Sequence, residues 1–237
     1  MLFLQDIERF EGTGGKNREG KGLREFLESY DPKKYDSPCN TTDIVVVRCE
    51  EPLRRWGQPL KVLLVKRANH PSIGFWAAPG GFVELKEDLF EGAARELREE
   101  TGIKGLPLKQ LDTWGAWDRD PRWRIITTSF VALVEGDLPV KAGDDAADAL
   151  WMDAGLVLEE EDKQRKVWGL SLENQERGIR LGARVEVTKS GSPLLEQEHY
   201  RLLESHGLAV DHGCMITQAL LYLKQRLEDR AGEGHIL

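Results

Sequence analysis

Between Pro79 and Ile103 the chain turns through two glycines and enters a helix, and this passage limits the possible folds more than any other stretch. Pro79 forbids a helix at the turn, while Gly80 and Gly81 permit backbone angles and close approaches that a side chain would block. From Glu87 the spacing becomes helical. Leu89, Ala93 and Leu97 recur at i, i+4 and i+8 and offer one apolar face to a core, and Gly102 stands where such a helix ends. Glu96, Glu99 and Glu100 lie three and four residues apart, so their carboxylates converge beside one edge of that helix. Left alone they repel. A divalent cation among them would offset the repulsion, and all-oxygen ligation suits a hard ion, Mg2+ or Mn2+, better than zinc. Arg95 can fix a neighbouring carboxylate by a charge-assisted hydrogen bond. Composition alone reads this helix as a solvated one, since Glu and Arg are good helix formers, so the spacing has to decide.

Around that centre the elements follow in order. Residues 1–38 form a glycine-broken polar leader that ends in a short helix near Leu23 to Tyr30, and residues 39–237 form one domain. Two short β-branched runs, Asp43 to Arg48 and Lys61 to Lys66, read as paired strands. Arg67 ends the second and is a candidate for holding phosphate, or a salt-bridge partner. Further strands are expected near 110–117 and 124–134, flanking a charged loop at 118–122, and a short one at Ala149 to Met152 after the acidic turn 143–148. Residues 155–203 read as an insertion containing a β-hairpin, because Ile179, Leu181, Ala183, Val185 and Val187 alternate strictly with polar residues or glycine. This hairpin is expected to pack on the main sheet or on a second subunit. A final helix runs from Cys214 to about Arg230, with Asp211 at its N-cap position and His212 as a structural residue or, less simply, a ligand.

Charge and cysteine usage exclude several classes. A net charge of -8 argues against nucleic acid and anionic membranes as partners, both of which demand a basic face. The three cysteines, Cys39, Cys49 and Cys214, have neither a disulfide framework nor zinc spacing and read as reduced thiols. The apolar run at the N-terminus breaks at Gln5 and Asp6, too early for a signal segment, so the expected location is cytoplasmic.

The spacing of Gly81, Glu87, Arg95, Glu96, Leu97, Glu99, Glu100, Gly102 and Ile103 resembles the signature box of the Nudix hydrolases at every specified position. The resemblance implies an α/β fold, the Nudix α/β/α sandwich with a mixed sheet, here with the inserted hairpin. It implies a divalent metal, Mg2+ or Mn2+, held by Glu96, Glu99 and Glu100 with the Gly80 carbonyl, Arg95 orienting the glutamates, and Glu87 as a more peripheral acid. Tyr30 to Tyr35, Trp76 to Gly81, Asp118 to Arg122 and Leu208 to Gly213 are further similar to a bacterial group of ADP-ribose pyrophosphatase-like enzymes and Nudix-related regulators of NAD metabolism. The similarity runs from about Leu23 to Arg230.

Hydrolysis of the pyrophosphate in ADP-ribose or a related nucleoside diphosphate compound is the implied reaction. A homodimer is the expected assembly, with the inserted hairpin as a candidate for its contact. The group places Arg119 and Arg122 near phosphate or ribose. To activate water, family members use either a glutamate of the helix, here Glu99 or Glu100, or an acid on a distant loop, for which the 143–148 turn offers Asp145 beside Asp144 and Asp148. Trp114 and Trp117 could stack a base or belong to the core. The alternative is a ligand-sensing regulator or binding protein that keeps the fold without the chemistry. Regulators of this kind carry a winged helix after the last Nudix helix, and this chain is expected to lack one.

Overall fold

The computed structural model describes residues 3–140, 146–192 and 194–233. Its internal contacts separate Met1–Ser37 from Pro38–Leu237. The first unit holds a 3-10 turn at Glu8–Phe10 and helix α1 at Leu23–Ser29, whose first turn is closed by the Glu25 carboxylate accepting the Gly22 N–H at 3.0 Å.

The second unit is organised on one mixed sheet of ten strands. In chain order its elements are β1 (Cys39–Cys49), β2 (Leu60–Arg67), β3 (Trp76–Ala77), β4 (Gly80–Phe82), α2 (Leu89–Thr101), β5 (Lys109–Trp114), β6 (Ile125–Glu135), β7 (Ala146–Glu161), β8 (Arg165–Asn174), β9 (Ile179–Ser190), β10 (Gln197–His206) and α3 (His212–Glu233). In space the strands run β10-β9-β8-β7-β2-β1-β6-β5, with β3 added to β2 and β4 to β1. β1 and β6 are parallel, Cys39 opposite Ile125 through Cys49 opposite Glu135. The remaining pairings are antiparallel.

β1 is covered on both faces, which is why Ile44 to Val47 is an unbroken apolar run rather than an alternation. Ile44, Val46, Leu63 and Phe130 meet Ala93 and Leu97 of α2 on one side. Val45, Val47, Val62 and Met152 meet Met215, Ile216, Ala219 and Leu220 of α3 on the other. The sheet thus lies between two helical layers, the expected α/β/α sandwich. Each fully buried aliphatic side chain in these layers stabilises the fold by about 2 kcal/mol before entropy is counted.

The region after residue 146 departs from the sequence expectation. The short strand at 149–152 is a strand of sixteen residues that pairs with β2 along its first half and with β8 along its second. The inserted hairpin, β8 with β9, is the middle of a four-stranded antiparallel run, β7 to β10, that continues the main sheet sideways. β10 has no clear strand signal in the sequence because Gln197 to His206 is mostly polar, with Glu198, Arg201 and Glu204 among its residues, a composition that suits an edge strand.

Candidate active site

Three pieces of chain meet where β1, β4 and α2 come together. Gly80 and Gly81 pair with Asp43 and Thr42 of β1, and the Pro79 carbonyl accepts the Ile44 N–H at 2.8 Å. The glycines are required by distance. A Cβ on Gly80 would stand 2.1 Å from the Thr42 carbonyl oxygen, and one on Gly81 would stand 2.5 Å from the Glu96 carboxyl. α2 begins at a capping box: the Asp88 carboxylate accepts the Phe90 and Glu91 N–H groups at 2.8 and 2.9 Å, and Glu91 returns to the Asp88 N–H at 3.0 Å. It ends at Gly102 in the left-handed conformation, as expected (φ +77).

The helix presents its acids unequally. Glu96 and Glu100 line a cavity of about 390 Å³ together with Gly80 and Gly81, whereas Glu99 is half-exposed and lies outside the cavity lining. Glu100 accepts the Gly80 N–H at 2.9 Å. Burial, opposed in part by that hydrogen bond and reinforced by Glu96 and Asp43, pushes its carboxyl up to about 7. Burial also raises Glu96, against the pull of Arg95. Hydrogen bonds from Arg98 and Arg95 hold Glu99 below the usual carboxylate range. Arg95 ties the group together. It donates to Glu87 (2.6 and 2.9 Å), Glu96 (2.7 Å), Glu99 (3.1 Å) and the Phe82 carbonyl (2.8 Å).

Among the described residues no three His, Cys, Asp or Glu side chains are already gathered to hold a metal. The donor chemistry nevertheless suits a hard cation. Glu96 and Glu100 are raised because burial leaves their charge under-compensated, and every candidate donor is an oxygen.

All three arginines singled out from the sequence line the same cavity. Arg67 donates Nε–H to the Pro71 carbonyl at 2.7 Å. Arg119 donates Nε–H and Nη2–H to Asp211 at 2.9 and 2.7 Å, and Arg122 does the same to Asp120 at 3.0 and 2.8 Å while lying over the Phe82 ring. Each is therefore held through its Nε side, and among the described residues each keeps a terminal nitrogen without a protein acceptor. That is a pre-organised set of donors for an anion.

Other candidates fall elsewhere. Trp114 donates to Ser129 at 3.0 Å and packs edge-on against Tyr200, in the core beneath α3. Trp117 is 80% exposed and does not line the cavity. Asp148 lies on β7 opposite Lys66 and is likewise absent from the lining. Asp144 and Asp145 lie outside the described residues. Asp211 does not spend its carboxylate capping α3, since Arg119 takes it.

One acid was missed from the sequence. Asp43 is buried on β1, accepts the Thr127 hydroxyl at 2.6 Å, and lines the cavity with its other oxygen 4.0 Å from His212 Nε2. The available signal was a lone carboxylate inside a β-branched run, which can be buried only with partners.

The family model of the NUDIX domain matches residues 41–168. A relative from Acinetobacter baylyi, an ADPR responsive transcriptional repressor, is 39% identical over 46% of this chain and 42% of its own length. An ADP-ribose pyrophosphatase from Methanocaldococcus jannaschii is 44% identical over 39% of this chain and 54% of its own length. The chain thus spans about half the length of the curated relatives it matches. Among solved structures, a MutT/nudix family protein from Enterococcus faecalis superposes with a TM-score of 0.64 at 28% identity, covering 88% of this chain and 71% of the other.

Proposed function

This chain belongs to the NUDIX domain family, and from that membership we propose that it hydrolyses the pyrophosphate bond of ADP-ribose or a closely related nucleoside diphosphate compound, releasing AMP and a sugar phosphate. The observation that carries this reading is the cavity itself, in which buried Glu96 and Glu100 stand beside three arginines each held through its Nε side. A diphosphate needs both halves: oxygen donors for a cation on one wall, and fixed guanidinium donors on the other.

Glu96, Glu100 and the Gly80 carbonyl would hold Mg2+ or Mn2+, joined by Glu99 once it turns in from its pairing with Arg95 and Arg98. Such an ion, when bound, neutralises phosphate charge and acidifies water. The chain's own residues do the rest. Arg95 holds Glu87, Glu96 and Glu99 in fixed relation, and the Gly80 N–H orients the Glu100 carboxyl. Arg67, Arg119 and Arg122 receive the phosphate oxygens, and their tethers avoid the entropy of ordering three long side chains on binding. Asp145 remains the acid proposed to activate water.

Purified protein with Mg2+ should release AMP from ADP-ribose, and Glu100→Gln should lower kcat by about two orders of magnitude or more. Equal release by the two proteins would reject the role given to the helix. A second reading, suggested by the repressor among the relatives, is that the same pocket senses its ligand without cleaving it. Tight ADP-ribose binding without AMP release would favour that reading.

A further inference from the structure

The segment Leu208 to Gly213 enters the mechanism above only through Asp211, the tether of Arg119, yet it also borders the cavity through Val210 and His212. Its backbone is joined to β3. Trp76 N–H donates to the Gly207 carbonyl at 2.9 Å, and Ala209 N–H donates to the Trp76 carbonyl at 2.8 Å. Val210 then adopts φ +43, a left-handed conformation that a β-branched residue rarely takes and that persists only where the surroundings impose it. The two residues after this constrained turn both reach site elements distant in sequence. Asp211 grips Arg119 with two hydrogen bonds, and the Arg119 side chain is only 7% exposed. His212, 6% exposed, accepts the Ala78 N–H on Nδ1 at 3.2 Å, two residues before the glycine corner that receives Glu100.

We propose that the turn Val210–Asp211–His212 is a two-armed positioning device. Asp211 sets the plane of Arg119 so that its free nitrogen serves the substrate, and His212, acting through Nδ1, holds the strand from Trp76 to Gly80 so that Gly80 and Glu100 keep their register. The device is anchored by α3, whose next turns carry Cys214, Met215 and Ile216 into the core at no more than 2% exposure. Because Ala78 N–H donates to Nδ1, that nitrogen is unprotonated and the ring proton lies on Nε2, toward Asp43. Neither residue touches the reacting bond, and both act through others. This inference rests on the reading of the cavity as a phosphate-binding site.

Asp211 is tested against its partner. Asp211→Asn keeps the shape but gives up the charge and one acceptor, and should raise KM for ADP-ribose about tenfold with kcat reduced less than about threefold, the signature of a lost binding contact. Asp211→Glu should recover part of that loss. Combining Asp211→Asn with Arg119→Ala should add little to Arg119→Ala alone, and full additivity would overturn the first arm.

His212 is tested by its two amide mimics. Asn can place an acceptor where Nδ1 stands, whereas Gln reaches to the place of Nε2. Hydrogen exchange at Trp76 to Gly81 should stay near the wild-type rate in His212→Asn and accelerate about tenfold or more in His212→Gln, with kcat following the same order. Equal exchange in the two variants, or the reverse order, would overturn the second arm. Exchange is read without substrate, so it remains decisive if wild-type protein fails to cleave ADP-ribose, an outcome that would reject the proposed reaction instead.

Discussion

Gly80 and Gly81 are adjacent, yet their positions predict different failures on substitution. A Cβ on Gly80 meets backbone, the Thr42 carbonyl and Asp43 Cα, which cannot yield without breaking the β1–β4 pairing. The atoms nearest a Cβ on Gly81 are those of the Glu96 carboxyl, the end of a flexible side chain. Gly80→Ala should therefore lower the melting temperature markedly, while Gly81→Ala should stay folded and lose activity by displacing Glu96. Circular dichroism melts beside AMP release distinguish the two, and a stable Gly80→Ala would contradict the packing. Glu100 offers a second contrast. Its folded carboxyl is raised from an ordinary 4.5 to about 7, so between those values the folded chain keeps a proton that the unfolded chain has released. Burying Glu100 therefore costs nothing below about pH 4.5, destabilises increasingly as pH rises from 4.5 to 7, and costs a constant amount above that. In the presence of a chelator, Glu100→Gln should thus gain stability over wild type between pH 4.5 and 8, by on the order of 2 kcal/mol. A pH-independent difference in melting temperature would show that Glu100 is not strained in this way.

Helix α2 does two jobs with opposite faces, and its start is where they are aligned. Ala93 and Leu97 fix its depth against β1 and β6, while Phe90 packs edge-on against Phe130 with centroids 5.0 Å apart. The capping box at Asp88 sets the angle of entry, and Glu87, immediately before it, receives Arg95. Asp88→Ala should cost about 1 kcal/mol, measurable by urea unfolding. The effect should stay within stability, because Arg95 and the glutamates lie farther along the helix; a loss of kcat as large as that of Glu100→Gln would mean that the cap itself orients the site. The helix was legible in the sequence because its period, its terminating glycine and its acids occupy one short stretch. β10 was not, since only Tyr200 and Leu202 of this polar edge strand face the core, too few to set a period.

The sheet carries the site at one place and extends away from it at another. β8 and β9 bring Trp168, Leu170, Leu172, Val185 and Val187 into the core cluster that α3 shares, and Tyr200 and Leu202 of β10 pack against it, so these strands belong to the core. Because these strands share a core with α3, the homodimer expected from the sequence is tested on the intact chain. Light scattering that returned the monomer mass of 26.8 kDa would reject it. By itself the sequence determined the glycine corner, the acidic helix, the family and the residue types able to hold a cation, because each depends on spacing within about twenty neighbouring residues. Only the tertiary structure decided that Glu96 and Glu100 line the cavity while Glu99 does not. It also decided that Asp43 belongs to the cavity, and that Asp211 and His212, about ninety residues or more from their partners, hold Arg119 and Ala78. Burial and long-range hydrogen bonds make those choices, and neither leaves a local period in the chain.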